Sequence, residues 1–255
     1  MNRPFTATVL ILHCCLSFFA QTKQSDREFD GLKGVVKAVL TERADATKVM
    51  GKLVETNRRK HTFVSYDPGG GKLAIQSYDY KTGELFHTMS YKVQDGEKVS
   101  FNEFIDRRKV ASATSELAAK ADVNRSDPRN IYQRKYTYKY DPNGNIIEES
   151  VWNGNGELHV RNVYTSGVRE RQESGYRGDG TLNQKYSYTL DAKGNVVELA
   201  VHHPITNAIL AKEKYEYLKF DKQGNWTKRV EWESYAGGRF VYELREVRYR
   251  TLTYF

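Results

Sequence analysis

The sequence predicts an all-β protein, a long antiparallel meander of β-hairpins that curls into an open sheet or a partial barrel. Three observations predict this fold. The chain holds 18 tyrosines against 5 prolines and 3 methionines, a composition that favours strands over helices. Glycines recur at nearly regular spacing within clusters of turn-forming residues. Between these clusters, aromatic and polar residues alternate with the period of a half-buried strand.

Residues 1–20 are typical of an export signal. The apolar run at 5–20 is too short to span a bilayer and is followed at once by polar residues. We therefore expect a mature chain that begins near Gln21 and is periplasmic, surface-attached or secreted. Cys14 and Cys15 lie inside the signal, so the mature chain would hold no thiol. A disulfide scaffold, a cysteine metal site and a cysteine nucleophile are thereby excluded.

Turn residues divide the remaining chain into three parts. Residues 21–105 are expected to form an N-terminal meander, with turn glycines at positions 70, 83 and 96. Residues 106–130 hold no turn glycine and are expected to be a linker or a lid with a short helix. Residues 131–255 form a second meander whose turn residues are Gly144, Gly156, Gly167, Gly180, Gly194, Asn207, Gly224 and Gly237. Short segments joined by tight turns can only pair antiparallel with their neighbours, which predicts about fifteen strands in sequence order.

Alternation within the segments predicts which residues share a face. Tyr136, Tyr138 and Tyr140 fall on one face of a strand, opposite Lys135, Thr137 and Lys139. A second strand shows the same pattern with Leu182, Tyr186, Tyr188 and Leu190 on one side. The pattern blurs at residues 146–149, where two isoleucines precede two glutamates, which indicates either β-bulges or a sheet partly covered on both faces.

A short motif occurs three times in the second meander. The copies are KYTYKYDPNGNIIE at 135–148, KYSYTLDAKGNVVE at 185–198 and KYEYLKFDKQGNW at 214–226. The motif resembles the unit of YD-repeat (RHS-like) exported proteins of bacteria, which reads tyrosine, any residue, tyrosine, aspartate, two residues and glycine. The residues that match it are Tyr138, Tyr140, Asp141, Gly144 and Asn145.

The resemblance implies a hairpin-repeat architecture. Large RHS proteins wind such repeats into a hollow shell around a toxic C-terminal domain, whereas here the repeats continue to Phe255. The resemblance therefore implies a small free-standing repeat module. Two copies depart from the pattern, since Leu190 and Phe220 replace the tyrosine that precedes the aspartate.

The sequence offers no pattern typical of catalysis or of metal binding. The turns DPNGN, DAKGN and DKQGN carry oxygen ligands, but their glycine stands at the fourth position and their span is too short for a calcium loop. Aspartate and asparagine in such turns bind the local backbone. His202 and His203 would point to opposite faces of a strand. We expect no enzyme, no metal and no cofactor.

The aromatic ladder is the candidate ligand site. Tyrosine and tryptophan offer flat faces with polar edges, on which sugar rings or bases can stack. The same residues could instead fill the sheet core as cross-strand aromatic pairs, which is the simpler interpretation. The ladder consists of Tyr136, Tyr138, Tyr140, Trp152, Tyr186, Tyr188, Tyr215, Tyr217 and Trp226.

Charge and hydropathy limit the partners. Lys and Arg total 40 against 32 Asp and Glu, and the net charge of +8 favours an anionic partner. An exported protein would meet an anionic glycan or an envelope protein rather than nucleic acid. The mean hydropathy of −0.71, with no apolar stretch of about 18 residues, excludes a helical membrane span. The oligomeric state does not follow from the sequence.

These observations together predict a non-catalytic binding or scaffold module at the cell envelope or outside the cell. The alternative is an outer-membrane β-barrel, which export, strand length and the terminal Phe255 suggest. A barrel in lipid needs one continuous apolar face, whereas charges occupy both faces of the last strand. These charges are Glu243, Arg245, Glu246, Arg248 and Arg250. A hydrolase acting on envelope polymer is a further alternative.

Overall fold

The described residues form a closed antiparallel β-barrel of fourteen strands, seen in a computed structural model. The structure describes residues 23–94, 97–105, 134–235 and 240–255. Strands follow one another around the barrel in chain order, and β14 pairs with β1 to close it. The predicted all-β meander is confirmed, and closure completes the curling that the sequence predicted. The strands are β1 (Val36–Val49), β2 (Lys52–Tyr66), β3 (Lys72–Tyr78), β4 (Leu85–Gln94), β5 (Glu97–Ile105), β6 (Arg134–Tyr140), β7 (Ile146–Asn153), β8 (Leu158–Ser166), β9 (Glu170–Arg177), β10 (Leu182–Leu190), β11 (Val196–His202), β12 (Ile209–Phe220), β13 (Trp226–Tyr235) and β14 (Glu243–Tyr254).

Turn glycines connect the strands as the sequence predicts. Gly156 has a φ of 84° and donates its N–H to Asn153 O at 2.9 Å, which closes the β7–β8 hairpin. A side chain resists this left-handed conformation, so glycine is favoured. Positive φ also occurs at Gly70, Gly83, Gly144, Gly180, Gly194 and Gly224. The predicted turns at Gly96 and Gly237, the export signal and the 106–130 segment lie outside the described residues.

Bulges follow the turns of the repeated motif. Tyr140 pairs with Ile146, but the preceding Lys139 pairs with Glu148, so Ile147 is the extra residue. Of the two explanations for the blurred alternation at residues 146–149, the register supports a bulge. The bulge restores alternation, and Glu149 lies opposite Tyr138 on the same face of the sheet.

A short N-terminal helix identifies the inner face of the barrel. Helix α1 (Asp26–Phe29) begins with a capping box at Ser25. Asp26 binds Lys98 of β5, and the Phe29 ring packs edge-on against Tyr164 of β8 at 4.8 Å. A helix of four residues can contact both β5 and β8 only from inside the barrel, where side chains of separate strands converge. The faces that carry Lys98 and Tyr164 therefore line the lumen.

Residues 23–35, the N-terminal plug, cross one mouth of the barrel. Gln24 donates its N–H to Gly144 O at 2.8 Å, and Arg27 donates its N–H to Gly70 O at 2.9 Å. The plug thus bonds to the β6–β7 and β2–β3 turns before it enters β1. A small apolar core seals this junction, with Leu32, Val36, Val39 and Tyr66 buried against Val64, Leu252 and Tyr254. No helix in the described part of the chain is long and apolar enough to cross a membrane.

Candidate functional site

The β6 tyrosines of the ladder line the lumen in a row. The ring centroids of Tyr136 and Tyr138 lie 6.4 Å apart, as do those of Tyr138 and Tyr140. Tyr91 of β4 extends the row, 6.0 Å from Tyr136. All four rings are only half-buried. The predicted shared face is confirmed, and it faces inward.

An internal cation already occupies this row. Lys98 Nζ lies 4.8 Å from the Tyr136 centroid and 3.0 Å from Glu149 Oε1. Burial alone would lower the pKa of Lys98, but Glu149, Tyr138 and Asp26 outweigh burial and raise it well above its ordinary value. The ammonium therefore stays charged. It takes the position over the tyrosine rings at which a cationic ligand would bind.

The β10 tyrosines also face the lumen. The centroids of Tyr186 and Tyr188 are 6.5 Å apart, and Tyr188 Oη donates to Glu173 Oε2 at 3.0 Å. Arg171 lies 4.4 Å above the Tyr188 ring. Burial raises the pKa of Glu173, with the Tyr188 hydrogen bond and Arg171 opposing it. These contacts hold Tyr188 within a polar network and leave less of its surface for a ligand.

The β12 tyrosines line a cavity of about 380 Å³ at the plug end of the barrel. Tyr217 lies 5.7 Å from the Phe220 ring and donates its hydroxyl to Val196 O at 2.6 Å. The Lys193 ammonium stands 5.7 Å over Phe220. The lining residues are Asp191, Ala192, Lys193, Val197, Tyr215, Tyr217 and Phe220. The second and third copies of the repeat therefore build this cavity between them.

Trp226 is buried beside Tyr217 and packs against two arginines. Its ring lies 6.1 Å from Tyr217, and the Arg229 and Arg250 guanidinium carbons stand 4.4 and 3.9 Å from its centroid. Arg229 also binds Glu231, which is 1% exposed on its side chain. Burial would lower the pKa of Arg229, but Glu231 outweighs burial and raises it. The pKa of Arg250 is instead lowered to about 10, first by burial and then by the charge of Arg229.

Trp152 is the ladder residue that the structure separates from the others. It pairs with Lys135 on the face opposite Tyr136. Its indole Nε1 donates to Thr137 Oγ1 at 2.9 Å on that outer face. The other eight ladder residues face the lumen, where the two β12 tyrosines line one cavity and Trp226 packs beside Tyr217. The two-residue period predicted the faces within each strand but could not relate one strand to the next.

The sequence did not predict that the charged side chains of β14 share the lumen. Glu246 and Arg248 face inward opposite Glu231 and Arg229, while Val247 between them is fully buried on the other face. The register shifts at Arg245, which is the extra residue of a bulge. That bulge lets Arg245 reach lumen-facing Glu213 at 2.9 Å. Strict alternation would place these charges on both faces of β14, but the bulge at Arg245 brings them together in the lumen.

The repeated turns use their carboxylates on their own backbone. Asp141 Oδ1 accepts the N–H groups of Asn143 and Asn145, both at 2.8 Å. Asp191 repeats this geometry with Lys193 and Asn195. The hydrogen bonds from Asn145 hold the pKa of Asp141 below its ordinary value. Among the residues in view, no group of three or more His, Cys, Asp or Glu side chains could hold a metal ion.

Comparison with known proteins gives likenesses of fold only. Neither a protein-family model nor a curated protein matches the sequence. A porin-like protein from Bacteroides uniformis is 9% identical over 91% of this chain and 99% of its own, with a TM-score of 0.49. A putative outer membrane lipoprotein-sorting protein domain from Vibrio parahaemolyticus is 8% identical over 86% and 83%, with a TM-score of 0.33. A DUF1329 family protein from Desulfovibrio piger is 12% identical over 86% of both chains, with a TM-score of 0.31.

Proposed function

We propose that this protein is an exported, non-catalytic binding module of the cell envelope or the extracellular space, and that it holds a glycan in the β10–β12 cavity. The cavity of about 380 Å³ carries this proposal. Its size falls within the usual range for ligand sites, about 300–1,000 Å³. Tyr217 and Phe220 present aromatic faces to it, and such faces stack on the apolar side of a sugar ring. Lys193 and the turn backbone supply polar groups for the hydroxyls at the rim.

The state of the carboxylate in the cavity favours binding over hydrolysis. Among the described residues that line the cavity, Asp191 is the acid. Its Oδ1 accepts two backbone N–H groups, and its Oδ2 accepts the Asn195 amide at 2.9 Å. Burial raises the pKa of Asp191, but these hydrogen bonds, led by those from Asn195, outweigh it and lower the pKa. A carboxylate held ionised and fully hydrogen-bonded is a poor general acid.

The outer faces favour a soluble module over a barrel in lipid. A lipid-facing barrel carries a continuous apolar band about 25 Å tall. Here β6 turns Lys135 and Lys139 outward, and both are exposed. Lys185 and Ser187 are on the outer face of β10, where Lys185 binds Asn207 and Ser187 binds His202. Charged and polar side chains at these positions would have to enter the hydrocarbon.

The cavity also bears on the resemblance to YD-repeat proteins. The second repeat supplies Asp191 and Val197, and the third supplies Tyr215 and Phe220. We propose that the chain is a free-standing YD-repeat-like module in which adjacent repeats create the ligand site. Neither repeat alone supplies all of the residues that line the cavity.

An oligosaccharide array tests the proposed function. The mature chain from Gln21, purified without detergent, is applied to neutral and uronic-acid oligosaccharides, and the hits are measured by calorimetry. Tyr217→Ala is expected to weaken binding at least about tenfold through loss of one stacking face. Trp152→Ala, which removes an outer-face ring of the same ladder, is the matched control and is expected to bind normally. The proposal is wrong if no oligosaccharide binds, or if both variants lose affinity equally.

A further inference from the structure

Among the described residues, no carboxylate forms a hydrogen bond or an ion pair with Arg250 in the lumen. The neighbouring arginines are all paired: Arg229 with Glu231, Arg248 with Glu246, and Arg245 with Glu213. Within the described residues, the Nε of Arg250 is buried and bonds to nothing. Its guanidinium carbon stands 3.9 Å from the centroid of the Trp226 ring. Each of these three guanidinium groups has a carboxylate within hydrogen-bonding distance.

The acid whose charge acts on Arg250 does not compensate for it. Asp30 of the plug influences the Arg250 charge, but its carboxylate accepts the Tyr66 hydroxyl and lies 2.8 Å from Lys72 Nζ. Lys72 therefore balances Asp30. A guanidinium withdrawn from bulk solvent without a counterion costs free energy that an incoming anion would recover.

The position of Arg250 connects it to the aromatic cavity. Arg250 lies against Trp226, whose ring is 6.1 Å from Tyr217, and Tyr217 lines the cavity. Arg250 as a whole residue is partly exposed, although its Nε is buried. The charge of Arg250 also acts on Tyr217, so a ligand stacked on Tyr217 would lie near the guanidinium.

We propose that Arg250 anchors an oxyanion of the ligand, a carboxylate or a phosphate, and that the cavity therefore selects acidic glycans over neutral ones. This inference rests on the proposed function and specifies its ligand class. A guanidinium donates paired N–H groups in a plane, the geometry that binds carboxylate and phosphate bidentately. Trp226 restricts the guanidinium from one side, which lowers the ordering cost of binding.

Trp226 is also the reporter for the test. In a Trp152→Phe/Trp232→Phe background it is the one tryptophan of the chain, since the sequence holds three. Iodide quenches indole fluorescence as an anion, and acrylamide quenches it as a neutral molecule. Arg250→Gln is expected to lower the iodide Stern–Volmer constant about threefold or more, because the local cation no longer concentrates the anion. The acrylamide constant should stay unchanged.

Arg245→Gln is the matched control, since it removes the same charge from a paired lumen arginine and should leave iodide quenching unchanged. Equal effects of the two variants would show a general lumen potential and would overturn the anchor, as would an unchanged iodide constant in Arg250→Gln. A changed acrylamide constant in Arg250→Gln would show that the substitution alters the fold around Trp226. The test then depends on Arg250→Lys, which keeps the positive charge. Loss of iodide quenching in Arg250→Lys would overturn the anchor.

Competition separates the sources of the oxyanion. Inorganic phosphate and galacturonate are each titrated against iodide, and relief of quenching by either one supports the proposal and identifies the source. Relief by neither shows an adventitious ion only and overturns it. Neutral oligosaccharides on the array separate the two proposals, because their binding through Tyr217 does not need Arg250. A failed anchor with retained neutral binding leaves the proposed function standing.

Discussion

Asn225 binds Lys33 through both polar groups of its side-chain amide. Its Oδ1 accepts the Lys33 N–H at 2.8 Å, and its Nδ2 donates to the Lys33 carbonyl at 2.8 Å. In the two other repeat turns, Asn145 and Asn195 donate Nδ2 to the aspartate of their own turn at 2.9 Å. In the third copy of the motif the asparagine amide therefore binds the N-terminal plug, whereas in the other two copies it binds the aspartate of its own turn.

Asn225→Ala is expected to release the plug. The residue is 3% exposed, and its amide makes three hydrogen bonds, the third to Tyr254 Oη at 2.9 Å. Loss of buried hydrogen bonds of this kind costs about 2–4 kcal/mol. Urea unfolding measures the loss, and hydrogen exchange at residues 23–35 locates it. Asn195→Ala is the control, with an expected loss of about 1 kcal/mol and no faster exchange in the plug. Equal exchange in both variants would contradict the role of Asn225.

Gly178 and Gly180 lie in one hairpin turn and test two different demands on glycine. A Cβ on Gly178 would stand 2.0 Å from the Leu158 carbonyl oxygen, so the backbone of the neighbouring strand must move. A Cβ on Gly180 meets nothing within 4 Å, and its φ of 83° is the only obstacle. We expect Gly178→Ala to cost about 3 kcal/mol and Gly180→Ala about 1 kcal/mol in urea unfolding. The reverse order would contradict the close approach of β8 to this turn.

His61 makes the barrel sensitive to mild acid. Burial and the charge of Arg248 lower its pKa to about 4, from about 6.5 in an unfolded chain. The fold therefore disfavours the protonated ring, and its stability contribution is complete above pH 6.5 and is lost as the pH falls toward 4. At pH 5 the loss is about 1–2 kcal/mol after allowance for partial exposure. His61→Gln should lose correspondingly less stability than the parent between pH 7 and pH 5. Parallel losses would refute this explanation.

Lys98→Met is expected to destabilise the plug end of the barrel strongly. It leaves Glu149 and Asp26 without the cation that lies 3.0 and 3.4 Å from them. Breaking a buried ion pair on one side costs about 3–5 kcal/mol. Adding Glu149→Gln should recover part of the loss, because one uncompensated charge disappears. A double-mutant cycle from thermal or urea unfolding measures this coupling, and additive losses would exclude it.

The hairpins depend on local chemistry, which explains why the sequence predicted them. Gly156 and Gly180 occupy left-handed positions because their neighbours form turns, and a turn needs no distant contact. The bulge at Ile147 follows from the same repeat, and a break in the two-residue period indicated it as one of two explanations. These features hold in any antiparallel meander that this chain could form.

The ligand cavity could be predicted only in part. The sequence named Tyr215, Tyr217 and Trp226 as aromatic residues of one ladder. It did not indicate that Arg250 would lie against Trp226, because β13 and β14 come into register only through the bulge at Arg245. It also grouped Trp152 with residues from which the sheet separates it.

The amino-acid pattern by itself determined the strands, the turns and the antiparallel order of the chain. Tertiary structure decided that the sheet closes between Val36 and Tyr254, that the tyrosines face inward, and that Asn225 holds Lys33 across 192 residues of sequence. The physical reason is that alternation separates the two faces of a strand but does not determine which face lines the lumen. Only closure of the barrel around the plug breaks that symmetry.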